Sequence, residues 1–350
     1  MIDLTPRTIL APCEHYSGSK RFIEKAFQLQ EHFGPRLDVT CDAEDGAPIG
    51  GEREHLEMIV ELLCSRVNSP HRCGVRIHDP ASKCWQDEVN LLIDHAAHVV
   101  AYLTIPKARS LAAVLEVRDY ISRRKRKRKV RRSIPLHVLI ETPQALRDVW
   151  RIAALPEVEV LDFGLWDFIA DHDGAIPADC MKSPRQFEHQ LLVRAKTEIV
   201  AAAVAHGKVA AHNVTAAIDD PEQVYQDARR ARTDFGFLRM WSIHPNQIES
   251  IIRAMELDFQ ELSKAIEILS LAAENNWGPV RYKTELHDRA TYRSYLQLLK
   301  RAKLFGHPLP REAEQRFFDS KGELKIGNRS PQRKASTFAK ATADKSLRSQ

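Results

Sequence analysis

Eight short apolar runs recur along the chain, and each is followed by a stretch with the periodicity of an amphipathic helix. The runs begin at Thr8, Leu37, Gly74, Val99, Leu136, Val158, Lys208 and Met240. Their spacing of about 33 residues is the length of one strand plus one crossover helix. Eight such units close a parallel barrel, so the pattern predicts a (β/α)₈ TIM barrel. An open doubly wound sheet fits less well, because it has fewer strands and a Gly-rich first turn.

Proline behind a capping residue marks several predicted helix starts. The pairs are Thr142-Pro143, Ser183-Pro184, Asp220-Pro221 and, as a weaker case, His244-Pro245. We predict three regions: the barrel in residues 1–257, a helical extension in 258–318 and a polar tail in 319–350. The extension is too small to bury much core alone, so we expect it to pack on the barrel or on a neighbouring subunit. The tail is basic and poor in large apolar residues, and we expect it to be disordered.

The composition is that of a globular protein, with 43% hydrophobic and 28% charged residues. No apolar run reaches the roughly 20 residues that cross a bilayer, and no targeting segment is seen at the N-terminus, so we predict a cytoplasmic protein without a membrane partner. The six cysteines show neither a CxxC pair nor zinc-ligand spacing, so we expect free thiols.

The net charge of +5 comes from one local run, RRKRKRKVRR, between Arg123 and Arg132. The rest of the chain is net negative, and no aromatic residues that could stack on bases interrupt the run. We therefore interpret the run as a solvated helix end rather than a phosphate-binding patch, and expect no nucleic-acid partner.

Polar residues follow the predicted strands, or in one case lie within a strand, at the barrel end where active sites form. They are Glu44, Asp45, Arg76, Lys107, Glu141, Asp167 and His244. Glu141 and Asp167 end consecutive strands and supply hard oxygen ligands, which favours a shared Mg²⁺, with Mn²⁺ as the alternative ion. Alternatively, Glu141 serves a helix N-terminus and Asp167 caps a loop. Asp162 is a competing ligand if its strand register aims it inward.

Arg76 lies inside an apolar strand, where an unpaired guanidinium is costly to bury. It therefore needs an anion, either a substrate carboxylate or the side chain of Glu44 or Asp45. Lys107 raises the alternative of a Schiff base with a keto substrate, which requires a lowered pKa. We favour an electrostatic or surface role for Lys107. For His244 we favour a capping role.

Several segments resemble the citrate lyase β-subunit-like family, also called the HpcH/HpaI aldolase family. The segments are PRTILAP, RFIEKA, DAEDGAP, VRIHD, IPKA, VLIETPQAL, LDFGLWDF and GFLRMWSIHPNQI, between Pro6 and Ile252. No single segment is specific, but their order and spacing are. The resemblance implies a Mg²⁺-dependent carbon–carbon lyase that cleaves a β-hydroxyacyl coenzyme A thioester, such as citryl-CoA or malyl-CoA. The products would be acetyl-CoA or a homologue and a 2-oxo acid, and the enzyme would be a homo-oligomer, a trimer or hexamer.

The resemblance also implies roles for individual residues. Glu141 and Asp167 match the metal ligands of the family, and Arg76 matches an arginine that contacts the substrate. Glu44 and Asp45 match acidic groups that support the site, and Arg7, Lys20 and Arg21 match basic positions near the coenzyme A phosphates. Asp288 matches an acid or base that reaches the active site of a neighbouring subunit. Three alternatives stay open: a class II aldolase of free 4-hydroxy-2-oxo acids, a thioesterase on the same scaffold, and a non-enzymatic polyanion-binding protein.

Two segments depart from the family pattern. The first strand reads APCEH where the family has a Pro-Gly pair, and FGFLRMWSIHP carries bulky residues where the family has a Gly-Lys pair. In addition, a histidine follows VRI where asparagine is usual. These departures leave open an unusual acyl group.

Overall fold

The structure, a computed structural model, describes residues 8–66, 69–256 and 259–325. Arg7 and most of the predicted tail lie outside the described residues. The chain divides into two compact units, one formed by Pro6–Asp258 and one containing the residues from Phe259 onward.

The first unit is a closed barrel of eight parallel strands. The strands are β1 (Cys13–Ser17), β2 (Leu37–Asp42), β3 (Cys73–Arg76), β4 (Leu103–Ile105), β5 (Leu136–Ile140), β6 (Val158–Phe163), β7 (Val209–His212) and β8 (Arg239–Ser242). Each strand pairs with the next along the chain, and β8 returns to pair with β1. The predicted (β/α)₈ barrel is therefore confirmed. All eight carboxyl ends lie at one rim, where a barrel of this kind builds its site.

Helices surround the barrel. They are α1 (Lys20–Phe33), α2 (Glu52–Cys64), α3 (Trp85–Leu91), α4 (Leu111–Lys127), α5 (Pro143–Ala153), α6 (Leu165–Ala170), α7 (Gln190–Ala205), α8 (Pro221–Arg230) and α9 (Pro245–Met255). In α5 the buried residues Ala145, Leu146, Val149 and Ile152 recur at helical spacing and form one apolar face. Such faces cover the outer surface of the strands and close the core.

Three of the four predicted helix starts are confirmed. The side chains of Thr142, Asp220 and His244 accept hydrogen bonds from backbone N–H groups in the first turns of α5, α8 and α9. The prediction at Ser183 is wrong, because a short 3₁₀ turn follows it and α7 begins only at Gln190. The Ser183 hydroxyl donates instead to Asp227 Oδ1 at 2.5 Å, so it is not available as a cap.

The first strand was predicted in the wrong place. The apolar run from Thr8 precedes β1, which is formed by CEHYS and is buried at every position. The prediction failed because β1 carries Glu14 and His15, whose polar groups find partners inside the barrel. Glu14 accepts from Arg239 Nε at 2.8 Å, and Arg239 lies 225 residues away.

The second unit contains three helices and a hairpin among its described residues. They are α10 (Phe259–Glu274), β9 (Val280–Tyr282), β10 (Glu285–His287), α11 (Arg289–Leu304) and α12 (Arg311–Phe317). The helical character was predicted, whereas the antiparallel pair β9–β10 was not. These strands have three residues each, too few for a periodicity to show.

The basic run occupies the last turn of α4 and the turn that follows it. The guanidinium groups of Arg124 and Arg128 both pair with Asp94. Arg132 donates to the carbonyl of Val100 at 2.6 Å. The run therefore lies at a helix end, as predicted, but part of it holds α4 against its neighbours instead of being solvated.

No helix in the described part of the chain combines the length and the apolar character needed to cross a bilayer. The prediction of free thiols is confirmed for all six cysteines. The buried thiols of Cys41 and Cys73, on adjacent strands, are hydrogen-bonded with their sulfur atoms 3.7 Å apart and form no disulfide.

Candidate active site

A cavity of about 300 Å³ lies at the carboxyl end of the barrel. Its charged lining comes from the ends of β2, β3, β5 and β6 and comprises Asp42, Asp45, Arg76, Glu141 and Asp167. Its apolar and aromatic lining comes from the ends of β6, β7, β8 and β1. Because these strands are neighbours in the closed sheet, the order of the strands divides the cavity into a charged half and an apolar half.

Arg76 is anchored by the strand beside it. Its Nε and Nη2 donate to the two oxygens of Asp42 at 2.8 and 2.6 Å, a bidentate pair. The two residues are register partners on β2 and β3. Sequence analysis missed Asp42, although its position at the end of a strand is the same signal that singled out Glu141.

Two further acids complete the surroundings of Arg76. Its Nη1 lies 3.1 Å from Glu44 Oε2 and 3.4 Å from Asp45 Oδ2. Burial alone would lower the pKa of Arg76, but Asp42 and Glu44 hold that pKa well above its ordinary value. Of the two anions expected for Arg76, the protein carboxylate is the one observed.

Lys107 bridges the same acids from β4. Its Nζ donates to Glu44 Oε1 at 2.5 Å and to Asp45 Oδ1 at 3.0 Å. Burial opposes the charge of Lys107, but these carboxylates raise its pKa above the ordinary value. A Schiff base needs a lysine that loses its proton readily, so these contacts favour the electrostatic role of Lys107 over that alternative.

The two acids respond differently to this environment. Burial raises the pKa of Glu44, even though Arg76 and Lys107 favour its charged form. Asp45 is more exposed, and there the nearby cations prevail over burial and lower its pKa. Glu44 is therefore the better proton acceptor of the pair, and Asp45 is the one that lines the cavity.

Glu141 is buried directly after β5, and its Oε1 accepts the backbone N–H of Lys107 at 2.5 Å. Lys107 takes a positive φ of 46°, which is a strained conformation for a lysine and aims that N–H. Gly164 makes room for Glu141, because a Cβ at Gly164 would lie 2.1 Å from Glu141 Oε2.

Asp167 lies in the first turn of α6 and lines the same cavity as Glu141. Burial and the negative charge of Asp167 raise the pKa of Glu141 to about 8. In the described part of the chain, no lysine or arginine forms an ion pair with either carboxylate. A hard divalent cation fits this donor set, because it would supply the missing positive charge to two oxygen ligands.

Asp162, the competing ligand, points into the barrel below this cavity. One ligand atom from each of Asp162, Glu14 and His137 lies within 4.8 Å of the others, and all three residues are fully buried. Both carboxylate oxygens of Asp162 lack a hydrogen-bond partner, and burial raises its pKa to about 8. Asp162 therefore belongs to a separate interior cluster.

The basic residues expected near a coenzyme do not all line the same cavity. Arg21 lines a second cavity of about 540 Å³ together with Lys25 and His244. This cavity shares Tyr16 and Ile243 with the first, so the two adjoin. Lys20 begins α1 at an exposed position and is not part of this lining.

Asp288 lies in the second unit and caps α11. Its Oδ1 accepts the N–H of Ala290 at 2.9 Å, and its own backbone N–H donates to the hydroxyl of Thr291. The residue is exposed. The signal for this role is local, since an aspartate precedes a helical pattern there.

Comparisons with known proteins agree with this fold. The family model of HpcH/HpaI aldolase/citrate lyase matches residues 39–245. A citrate lyase from Burkholderia xenovorans LB400 has a crystal structure that matches with a TM-score of 0.80 and 44% identity, covering 89% of this chain and 97% of that one. The malyl-CoA/β-methylmalyl-CoA/citramalyl-CoA lyase of Chloroflexus aurantiacus is 22% identical, over 82% of this chain and 87% of that protein.

A further solved structure shares the fold. The CitE protein of Mycobacterium tuberculosis, in complex with magnesium, acetoacetate and coenzyme A, matches with a TM-score of 0.65 and 21% identity, over 84% of this chain and 98% of that one. The family model covers more than half of the chain, and the Burkholderia protein matches it over nearly its whole length. The chain therefore belongs to the HpcH/HpaI aldolase/citrate lyase family, whose enzymes are carbon–carbon lyases.

Proposed function

We propose that this protein is a Mg²⁺-dependent lyase that cleaves a β-hydroxyacyl coenzyme A thioester into acetyl-CoA, or a homologue, and a 2-oxo acid. The observation that supports this most directly is the pair Glu141 and Asp167, two carboxylates that line one cavity and form no ion pair with a basic residue among those described. These two residues would hold the metal ion. When bound, such an ion supplies Lewis-acid polarisation of substrate oxygens.

The side chains of this protein account for the proton transfers. A carboxylate of the Glu44–Asp45 pair takes the proton of the substrate hydroxyl. Asp45 is the member that lines the cavity and can reach the substrate, and Glu44, with its raised pKa, lies beside it. The carbon–carbon bond then breaks, its electron pair passes to the thioester as an enolate, and the hydroxyl carbon becomes the ketone of the 2-oxo acid. Arg76, fixed by Asp42, lines the cavity and stabilises the developing negative charge. Protonation of the enolate carbon completes the release of acetyl-CoA.

The second cavity is the place we propose for the coenzyme. It adjoins the first through Tyr16 and Ile243 and carries Arg21, Lys25 and His244. Cationic side chains at such an opening attract phosphate groups. Coenzyme A would then enter over α1, with its thioester carbon directed to the charged half of the first cavity.

We further propose a homo-oligomer, a trimer or hexamer, in which Asp288 protonates the enolate in a neighbouring subunit. Its exposure, and that of Leu286 at 74%, support this because the hairpin and the start of α11 are open to another chain. Mixing Glu141→Ala subunits with Asp288→Ala subunits tests it. Shared sites predict that the mixture regains part of the activity that each variant lacks, whereas sites within single chains predict no recovery.

The test of the reaction is a comparison of substrates. Purified protein is incubated with malyl-CoA, citryl-CoA and free 4-hydroxy-2-oxo acids, with and without EDTA, and both products are quantified. EDTA-sensitive release of a 2-oxo acid together with acetyl-CoA is the expected result. Cleavage of the free acids alone would indicate a class II aldolase, and release of coenzyme A thiol without a 2-oxo acid would indicate a thioesterase.

A further inference from the structure

The cavity at the barrel mouth has an aromatic floor, which lies next to one of the segments that depart from the family pattern and within the other. Tyr16 is the penultimate residue of β1 and directly follows APCEH, whereas Trp241 lies in FGFLRMWSIHP. The two rings stack with centroids 4.9 Å apart. The two strands are neighbours, since Glu14 and Trp241 are register partners on β1 and β8. Both rings are nearly buried, at 7% and 8% exposure, yet both line the cavity.

The apolar side of the cavity continues from this floor up the adjacent wall. Leu165 and Val214 line it from the ends of β6 and β7, and Trp166 stands at the rim with 40% of its surface exposed. The metal-binding pair Glu141 and Asp167 lies where this wall meets the charged half, because it comes from the ends of β5 and β6.

The lining offers no counter-ion to a second substrate carboxylate. Among its described residues the cavity has one basic side chain, Arg76, and Asp42 and Glu44 already neutralise that guanidinium. A carboxylate that entered the apolar half would lose its hydration with no cation to compensate it, because the polar lining residues there, Ser17 and Asn213, are neutral. On the charged side it would meet further carboxylates. Apolar carbon in the same place would instead be released from water against aromatic rings.

From this division we infer that the substrate carries an apolar substituent on its hydroxyl-bearing carbon, so that the product is a 2-oxo acid with an alkyl or aryl side chain rather than a second carboxylate. The inference rests on the proposed function and specifies its substrate class. In the series HO–C(R)(COO⁻)–CH₂–CO–S-CoA, the groups R = ethyl or propyl are favoured, and R = CH₂COO⁻, which is citryl-CoA, is disfavoured.

The thioester and the substituent do not compete for the same space. The thioester arm leaves along the edge at Ile243, which the two cavities share. The substituent then lies over Trp241 and against Leu165 and Trp166, which line the first cavity and not the second. Each methylene group of the substituent that is buried against this wall should raise kcat/KM about fourfold, until the substituent is too large for the cavity.

The first experiment measures kcat/KM for R = H, methyl, ethyl, propyl and CH₂COO⁻. The expected result is a rise from H to ethyl or propyl and a value for CH₂COO⁻ that is at least about tenfold below that of propyl. A citryl-CoA value equal to or above the alkyl values overturns the inference and leaves the proposed lyase intact. Failure to cleave any member overturns the proposed function and the inference with it.

Two tryptophans of similar exposure provide a matched pair of variants. Trp166 lines the cavity at 40% exposure, and Trp150 lies on α5 at 43% exposure outside this lining. Trp166→Ala is expected to reduce the ratio of propyl to H activity about tenfold, and Trp150→Ala to leave that ratio unchanged. Trp166→Lys supplies the missing counter-ion and is expected to raise citryl-CoA cleavage relative to propyl. An unchanged ratio in both Trp166 variants contradicts the inference.

A binding measurement does not depend on thioester chemistry. The 2-oxo acids pyruvate, 2-oxobutanoate, 2-oxopentanoate and oxaloacetate are titrated with MgCl₂ present, and the quenching of tryptophan fluorescence is recorded. Tighter binding of 2-oxopentanoate than of oxaloacetate, lost in Trp166→Ala but kept in Trp150→Ala, is the expected result. Tighter binding of oxaloacetate overturns the inference.

Discussion

Two groups of acidic residues lie at different depths in the same barrel, and they are balanced differently. The interior cluster comprises Glu14, Asp38, Glu159 and Asp162 together with Arg72, Arg239 and His137. The mouth cluster comprises Asp42, Glu44, Asp45, Glu141 and Asp167 together with Arg76 and Lys107. Both hold carboxylates close together, but only the mouth cluster lines the cavity at the barrel rim.

The interior cluster can neutralise itself with protons. Burial opposes the charge of His137, but Glu14 and Glu159 raise its pKa, while burial raises the pKa of Asp162 to about 8. With His137 charged and Asp162 protonated, the positive and negative charges in the cluster are equal in number.

At the mouth, by contrast, five acids face two cations, so negative charge remains in excess. Only Glu141 has a pKa raised as far as about 8. A set of ligand-type groups in close proximity therefore does not by itself indicate a metal site. Excess charge beside a cavity is the more informative feature.

The largest effect is expected from removing the proposed metal ligands. Glu141→Ala and Asp167→Ala should each lower lyase activity by about a thousandfold, because the charge that develops in the reaction loses its stabilisation. Circular dichroism should remain that of the unaltered protein, since neither carboxylate forms an ion pair with a basic side chain within residues 8–66, 69–256 and 259–325. Asp162→Asn in the interior is the matched control and should retain activity. Retained activity in both mouth variants would refute the assignment.

Breaking the interior cluster should affect stability rather than chemistry. Arg239→Met leaves Glu14 and Asp38 buried without their guanidinium partner, at a cost of about 3–5 kcal/mol in the free energy of unfolding. Unfolding in urea measures this. The triple variant Arg239→Met/Glu14→Leu/Asp38→Leu also removes the two buried carboxylates, so it should recover part of the lost free energy of unfolding. A single-variant cost below about 1 kcal/mol would show that the pairs contribute little.

A metal-binding measurement shows directly which of the two clusters binds the ion. At a Mg²⁺ concentration about a hundredfold above Kd, the free energy of unfolding should rise by about 2.7 kcal/mol. The rise should be absent in Glu141→Gln and Asp167→Asn and present in Asp162→Asn. Thermal unfolding with MgCl₂, MnCl₂ and EDTA gives the comparison. Loss of the rise in Asp162→Asn alone would place the ion in the interior.

The same contrast explains how much the sequence could predict. Strands β5 and β6 were located from apolar runs, because their side chains pack as the hydrophobic pattern requires. Strand β1 was misplaced, because Glu14 is buried through a partner that only the closed barrel brings near. Local pattern carries no information about a contact between residues 225 positions apart.

The site was predictable to the extent that strand ends identify it. Glu141 and Asp167 follow consecutive strands, so the barrel places them beside one cavity. That Arg76 pairs chiefly with Asp42 could not be read from the sequence, because it depends on the register between β2 and β3. The clustering of Tyr16 with Trp241 depends likewise on β8 returning to β1.

A further effect concerns pH and isolates the proton held by Asp162. Its pKa is raised from 3.8 to about 8 in the folded protein, so the folded state keeps a proton that the unfolded chain releases. The stability due to this group is present below about pH 4 and is lost as pH rises through 8. Asp162→Asn should remove that loss, so the variant gains stability relative to its parent with increasing pH. Because Glu141 titrates in the same range, the comparison is made between Glu141→Gln and Glu141→Gln/Asp162→Asn by urea unfolding from pH 4 to 9. Parallel stability curves would show that Asp162 is charged in the fold and that the interior cluster balances its charge in another way.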